Sequence, residues 1–227
     1  AQRAVEKLAS DQLELYARQP KELVGHANRE LAAIEGYRGR QLLELLQNAD
    51  DAAEHTNGGR LLVELVDDCV IVANSGSAFS AGGLESLVIS DCSPKQLDRN
   101  KYIGCKGLGF RSVLTWSECP LLSSGHLSVA FDRAKAALQI NMLAATSQAV
   151  RGVVDDFTRA EGYPPVPIMR FPFVPPSTSL DLASRYRDQG FDTVLVLRLP
   201  DDTRRDAVRR DVLDQLDGLQ TEALLFC

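Results

Sequence analysis

The apolar residues change their spacing at Asn57-Gly58-Gly59, and that change does most to limit the folds open to this chain. Ahead of it the pattern is helical. Val5, Leu8, Leu13, Leu15 and Tyr16 recur among charges over residues 3–18, and Pro20 separates them from a second helix over about 21–34. After a break at Gly36 and Gly39, a third helix over about 38–55 carries Leu42, Leu43, Leu45, Leu46, Ala49, Ala52 and Ala53. The Asn-Gly-Gly run ends it. Beyond that run, Leu61–Val66 and Cys69–Ala73 read as two strands joined by Asp67-Asp68, a hairpin signal weaker than Asn-Gly.

The rest of the chain mixes both patterns. Leu84, Leu87, Val88 and Ile89 predict a short helix, a polar stretch runs from Asp91 to Lys101, and glycines at 104, 107 and 109 precede an apolar segment, Phe110–Trp116. Leu127–Phe131 and Thr193–Leu199 are the clearest later strands. The Pro-rich stretch 164–176 reads as a surface connection and 204–226 as a final helix. No internal repeat or low-complexity tract is present. Helices first, then mixed strands and helices, predict one α+β domain: a mixed, mostly antiparallel sheet with helices on one face.

Composition excludes several classes. The 227 residues carry a net charge of −6 with 44% hydrophobic and 25% charged residues, ordinary for a soluble globular protein. No global positive field draws such a chain to nucleic acid or anionic membranes. Arg204, Arg205, Arg209 and Arg210 cluster locally, and the plain expectation for them is a solvated helix face. Five cysteines lack a C-x-x-C pair and three histidines are scattered, which points away from zinc and toward reduced thiols in a cytoplasmic protein. No run approaches the roughly 18 apolar residues of a membrane helix. The apolar ending Leu-Leu-Phe-Cys fits a fragment of a longer protein.

Three elements carry chemistry. On the third helix Glu44, Asn48 and Asp51 fall at helical spacing on one face, opposite much of the leucine surface. A solvated stripe would give the same pattern. Directly after a strand comes Asn74-Ser-Gly76, where glycine permits positive φ and close approach of a flat ligand and the Asn74 amide can donate and accept. Alone it is a turn. The third element, Gly104-Cys-Lys106-Gly107-Leu108-Gly109-Phe110-Arg-Ser112, exposes backbone N–H groups ahead of a helix, with Lys106 adding a full positive charge. That chemistry suits a polyphosphate, although the spacing is neither a Walker loop nor a dinucleotide fingerprint.

In this order and spacing the three elements resemble the nucleotide-binding boxes of the GHKL (Bergerat-fold) superfamily of gyrase, the ninety-kilodalton heat-shock chaperones, histidine kinases and MutL. Tyr37-x-Gly-Arg40-x-Leu-x-Glu44-Leu-x-Gln-Asn48-Ala-x-Asp51-Ala and Gly104-x-Lys106-Gly107-x-Gly109-Phe110-Arg-Ser112-Val look most like the chaperone-like, sacsin-type branch. The likeness covers residues 30–116 strongly and the remainder loosely. It implies a Bergerat-type α/β sandwich over 37–227, preceded by a helical extension over 1–36, with a mobile ATP lid at 91–103.

The resemblance also implies roles for matching residues. Glu44 would polarise the attacking water, Asn48 would coordinate Mg²⁺, and Asp51 would line the pocket near ribose or adenine. Asn74 stands where relatives usually carry an acid that accepts from the adenine amino group; its amide oxygen can still accept, but it is neutral. Gly76 would let the base approach, Gly104 to Phe110 would wrap the phosphates, Lys95 would meet the γ-phosphate, and Thr193 would help to bind adenine through water. ATP and Mg²⁺ are the expected cofactors. The expected partners are other domains of the same longer chain and an ATP-dependent homodimer. A basic residue that relatives supply from a following domain has no evident equivalent, so slow hydrolysis is expected.

Two other readings stay open. One is a non-hydrolysing nucleotide-binding scaffold, favoured by the neutral Asn74. The other is a histidine-kinase-like domain with His26 in His-Ala-Asn-Arg-Glu30 as phosphoacceptor, although His26 precedes Glu44 too closely for a dimerising hairpin between them. Trp116 and the phenylalanines read as core and not as a base-stacking platform.

Overall fold

The computed structural model describes residues 2–53, 59–89 and 109–219. The chain opens with α1 (Gln2–Arg18), α2 (Pro20–Gly36) and α3 (Gln41–Ala53), close to the segments that periodicity predicts. Pro20 begins α2, where its missing N–H costs nothing. The hairpin follows as β1 (Leu61–Val66) and β2 (Cys69–Asn74), with Asp67 at φ 51° in the turn. Next come α4 (Ala81–Ile89), a 3-10 segment Gly109–Thr115, and a second hairpin, β3 (Leu121–Ser124) with β4 (Leu127–Ala130). Then α5 (Arg133–Thr146) and α6 (Gln148–Glu161) pack together, capped by Asp132 and Ser147 side chains, and Gly162 ends α6 in the left-handed conformation. The last elements are α7 (Asp181–Asp188), β5 (Thr193–Arg198) and α8 (Arg205–Asp217).

The five strands form one open sheet in the order β1-β2-β5-β3-β4. Every pairing is antiparallel, where a mixed sheet was expected. Alternation along β2 and β5 splits the core in two. Val70, Val72, Leu195 and Leu197 join the large core with Leu42, Leu45, Leu84, Trp116 and residues of α1, α2, α5, α6 and α8. Ile71, Ala73, Val194 and Val196 join a smaller core on the opposite face with Ala183, Tyr186 and Phe191. The expectation of helices on one face is therefore corrected: α7 covers the second face and is pinned there by the Tyr186 hydroxyl donating to Glu64 Oε2 at 2.8 Å.

Val5, Leu8, Tyr16 and Leu23 place α1 and α2 within the large core. The Pro-rich stretch is corrected too. Residues 165–172 are buried, because Ile168, Met169 and Phe171 fill the core and Glu30 accepts from the Ile168 and Met169 backbone N–H groups at 2.7 and 2.9 Å. A loop can be buried when its backbone finds such partners. In the arginine cluster Arg204 pairs with Asp202 and Glu118, and Arg205 with Asp201 and Asp68, while Arg209 and Arg210 are exposed. Cys69 and Cys119 are free thiols whose pKa values burial pushes up. Among the described residues, no helix is long and apolar enough to cross a membrane.

Candidate functional site

Cross-strand register builds the floor of the site. Asn74 pairs with Thr193, and Thr193 pairs with Ser124, so three polar residues lie in a row across β2, β5 and β3. Two residues inward on the same face, Val72, Leu195 and Leu122 form a parallel apolar row. Leu45, Asn48, Asp51 and Ala52 of α3, Phe79 and Ala78 of the β2–α4 connection, Leu87 of α4, and Phe110 wall the space above. The result is a cavity of about 330 Å³, near the lower bound of the ~300–1,000 Å³ typical of small-molecule sites.

Asn48, Asp51, Asn74, Phe110 and Thr193, all singled out from sequence, line this one cavity. They are brought together from α3, β2, the 3-10 segment and β5. Glu44 lies one turn before Asn48 and is not among the lining residues. Its carboxylate packs against Gly109, so closely that a Cβ there would overlap Glu44 Oε2. Gly76 does not line the cavity either. Its φ is +129°, and a Cβ on it would collide with the Ala52 carbonyl at the end of α3. It is a close-packing glycine that seats β2's exit against α3. Lys95, Gly104, Lys106, Gly107, Leu108 and the expected lid at 91–103 lie outside the described residues.

Desolvation sets the electrostatics at Glu44. Its side chain is 15% exposed, and burial pushes the carboxyl above its ordinary pKa, opposed by the Arg40 guanidinium 3.7 Å away. A carboxylate held more basic than usual is better suited to accept a proton. Beneath it, a polar chain fixes α3 to its neighbours. Gln41 Nε2 donates to Thr115 Oγ1 at 2.7 Å, Gln215 Nε2 donates to Gln41 Oε1 at 2.7 Å, and Gln215 Oε1 accepts from Leu42 N at 3.1 Å. Gln215 thus satisfies an otherwise orphaned N–H at the start of α3. Arg111, near the end of the glycine box, donates to the Leu87 carbonyl at 2.9 Å and ties that segment to α4.

Several contributors escaped the sequence reading. Asp192 Oδ2 accepts from Gly76 N at 2.9 Å, and Ser75 Oγ accepts from Arg60 N at 2.8 Å; both hold the turn after β2. Ser124 Oγ accepts from Phe79 N at 2.7 Å and lies 2.5 Å from Thr193 Oγ1. An aspartate immediately before Thr193 was the one available signal; a lone serine ending an unrecognised strand gave none. His26, by contrast, is buried, with Nδ1 2.8 Å from the Tyr16 hydroxyl. It packs edge-on against the Tyr16 ring, as a core residue does.

Among the described residues no group of three or more His, Cys, Asp and Glu is arranged to hold a metal. A magnesium ion carried by a nucleotide needs only one or two protein oxygens, and the solvent-facing Asn48 amide beside the cavity meets that requirement. The chain matches no family model and no curated protein. The resemblance to the GHKL superfamily accordingly rests on its motifs.

Proposed function

We propose that this chain is an ATP-binding domain of the GHKL type with slow, magnesium-dependent ATP hydrolysis. Within a larger chaperone-like or defence-type protein, that hydrolysis would drive a conformational switch. The observation that carries the reading is the convergence of Asn48, Asp51, Asn74, Phe110 and Thr193 on one cavity with an apolar floor. A flat base fits between the Val72–Leu195–Leu122 floor and the α3 wall, with Asn74 and Thr193 offering polar atoms to its edge. Asp51 would meet a sugar hydroxyl and Asn48 would hold the metal that accompanies the phosphates. That metal would supply positive charge across the phosphate oxygens.

The remaining chemistry is positioning and proton transfer. Glu44, desolvated against Gly109, accepts a proton from the attacking water, a role worth about 10²–10⁴ in rate. Calorimetry with ATP and Mg²⁺ tests binding, and turnover of Glu44→Ala tests hydrolysis. The expected result is retained binding with turnover reduced by about 10²-fold or more. Unchanged turnover removes Glu44 from the mechanism, and absence of any binding removes the nucleotide reading.

A second reading, a nucleotide-binding scaffold without hydrolysis, is favoured by Arg40, whose charge stands against Glu44 and opposes its basicity. Equal affinity for ATP and a non-hydrolysable analogue, with no product over hours, would select it.

A further inference from the structure

The polar row at the sheet end contains a pair of hydroxyls whose proton order the surroundings decide. Ser124 is fully buried at the end of β3. Among the described residues its Oγ has two neighbours at hydrogen-bonding distance. Phe79 N–H, at 2.7 Å, can only donate. Thr193 Oγ1, at 2.5 Å, can donate or accept.

If Thr193 donated to Ser124, the serine proton would have no acceptor among the described residues, and Ser124 is closed to water. A buried unsatisfied donor is the costlier outcome, since a hydroxyl at the cavity can turn its proton to a ligand or to water. Ser124 therefore donates to Thr193, and the Thr193 proton is directed into the cavity. Next to it, Asn74 Nδ2 donates to the Ser75 carbonyl at 3.4 Å, which turns Oδ1 away from that carbonyl. The lip thus presents a donor at Thr193 and an acceptor at Asn74, on adjacent strands in register.

We propose that Ser124 is a positioning residue that sets the hydrogen-bond polarity of the base-recognition edge, so that the site takes a 6-amino purine and rejects a 6-oxo purine. This rests on the nucleotide-binding reading above. The 6-amino base offers a donor at its exocyclic group and an acceptor at N1, the complement of Asn74 Oδ1 and the Thr193 proton. The 6-oxo base reverses both. Ser124 touches neither base and acts only through Thr193.

The test is the ratio of ADP to IDP affinity, read by calorimetry with Mg²⁺ on the whole chain. The unmodified protein is expected to prefer ADP. Ser124→Ala frees the Thr193 hydroxyl to accept as well as donate, and the ratio is expected to move about three- to tenfold toward one, the worth of one neutral hydrogen bond. Ser124→Thr keeps the donor and is expected to keep the ratio. Ser124→Cys replaces a strong donor with a weak one at similar volume, and reads the same loss if the alanine variant fails to fold. A merely structural role would weaken both nucleotides together and leave the ratio alone. That result, with ADP still binding, overturns the assignment of Ser124 while leaving the nucleotide site standing. No binding of either nucleotide to the unmodified protein overturns both.

Discussion

Gly76→Ala is the substitution whose cost can best be worked from the geometry. Gly76 sits at φ +129°, a conformation that residues with a Cβ rarely adopt, and holding one there costs of order 1–3 kcal/mol. An added Cβ would also overlap the Ala52 carbonyl oxygen and come within 2.8 Å of its carbon and 3.1 Å of Ala53 N. Those are backbone atoms, so no side chain can swing aside. Overpacking of this kind adds about 1–3 kcal/mol, and the two effects together come to roughly 2–6 kcal/mol. At about 2–4 °C per kcal/mol for a domain of this size, the melting temperature falls by at least about 4 °C. The same carbonyl accepts from Ser77 N at 2.7 Å, so relief of the clash also loosens α3 from the β2–α4 turn. Gly152→Ala is the matched control: it lies exposed in α6 with nothing within 4 Å of its added Cβ, and the change should stabilise by about 0.5–1 kcal/mol. Paired urea and thermal melts read both. A Gly76→Ala midpoint within 2 °C of the parent (about half the smallest expected shift), or one that rises with the control, refutes the reasoning.

Two further outcomes follow from the same geometry. Gly109→Ala meets Glu44 Cδ at 2.8 Å and Cγ at 3.1 Å, the end of a flexible side chain, so the melt should barely move. On the proposed hydrolysis, the displaced carboxylate should lower turnover by about 10²-fold, and stopped-time product assays with unchanged rate would detach Glu44's position from that proposal. Glu30→Gln leaves either Ile168 N or Met169 N facing an amide donor and should cost about 1–3 kcal/mol. Burial raises the Glu30 pKa in the folded state above its ordinary 4.5, against the two backbone bonds and the Arg111 and Arg133 charges. The native protein therefore holds this proton more tightly than the unfolded chain, and stability is lost as pH rises from about 4.5 toward the folded value. The deficit of the glutamine variant should accordingly be largest in acid and narrow toward neutrality; calorimetric melts from pH 4 to 8 showing the opposite trend would reverse the sign of the shift.

What the sequence made legible is what repeats at a fixed period. The spacing of Leu42, Leu45 and Ala49 and the β-rich run Cys69–Ala73, bounded by turn residues, place α3 and β2 to within three residues. The α5 segment is alanine-rich and apolar on nearly every side, with Leu138 and Met142 exposed, so no period betrays it. The four-residue β3 was missed for want of length. Burial of 165–172 depends on Glu30, a partner more than a hundred residues away, and local composition could only report the prolines. At the site, Asn48, Asp51, Asn74, Phe110 and Thr193 were visible because each sits in a motif. Ser124 and Gln215 act through bonds to a hydroxyl and a helix start, which no residue pattern encodes, and only its place beside Thr193 hints at Asp192.

The site's polarity depends on register more than on any loop. Asn74, Thr193 and Ser124 come from three strands and lie on the cavity's side of the sheet, Asn74 and Thr193 lining it, because they share the parity of Val72, Leu195 and Leu122. A one-residue slip of β5 would turn Thr193 toward the α7 face and carry Val194 to the cavity. Such a slip is opposed on both faces at once. It would carry Val194 and Val196 from the smaller core into the larger one and press Leu195 and Leu197 into the space the valines leave. Leucines overpack sites shaped for valines at about 1–3 kcal/mol each, and valines leave voids where leucines packed, so the mismatch falls on both faces. The packing on both faces therefore holds the polar row in register, and substitutions that thin the small core under α7 should loosen it from behind.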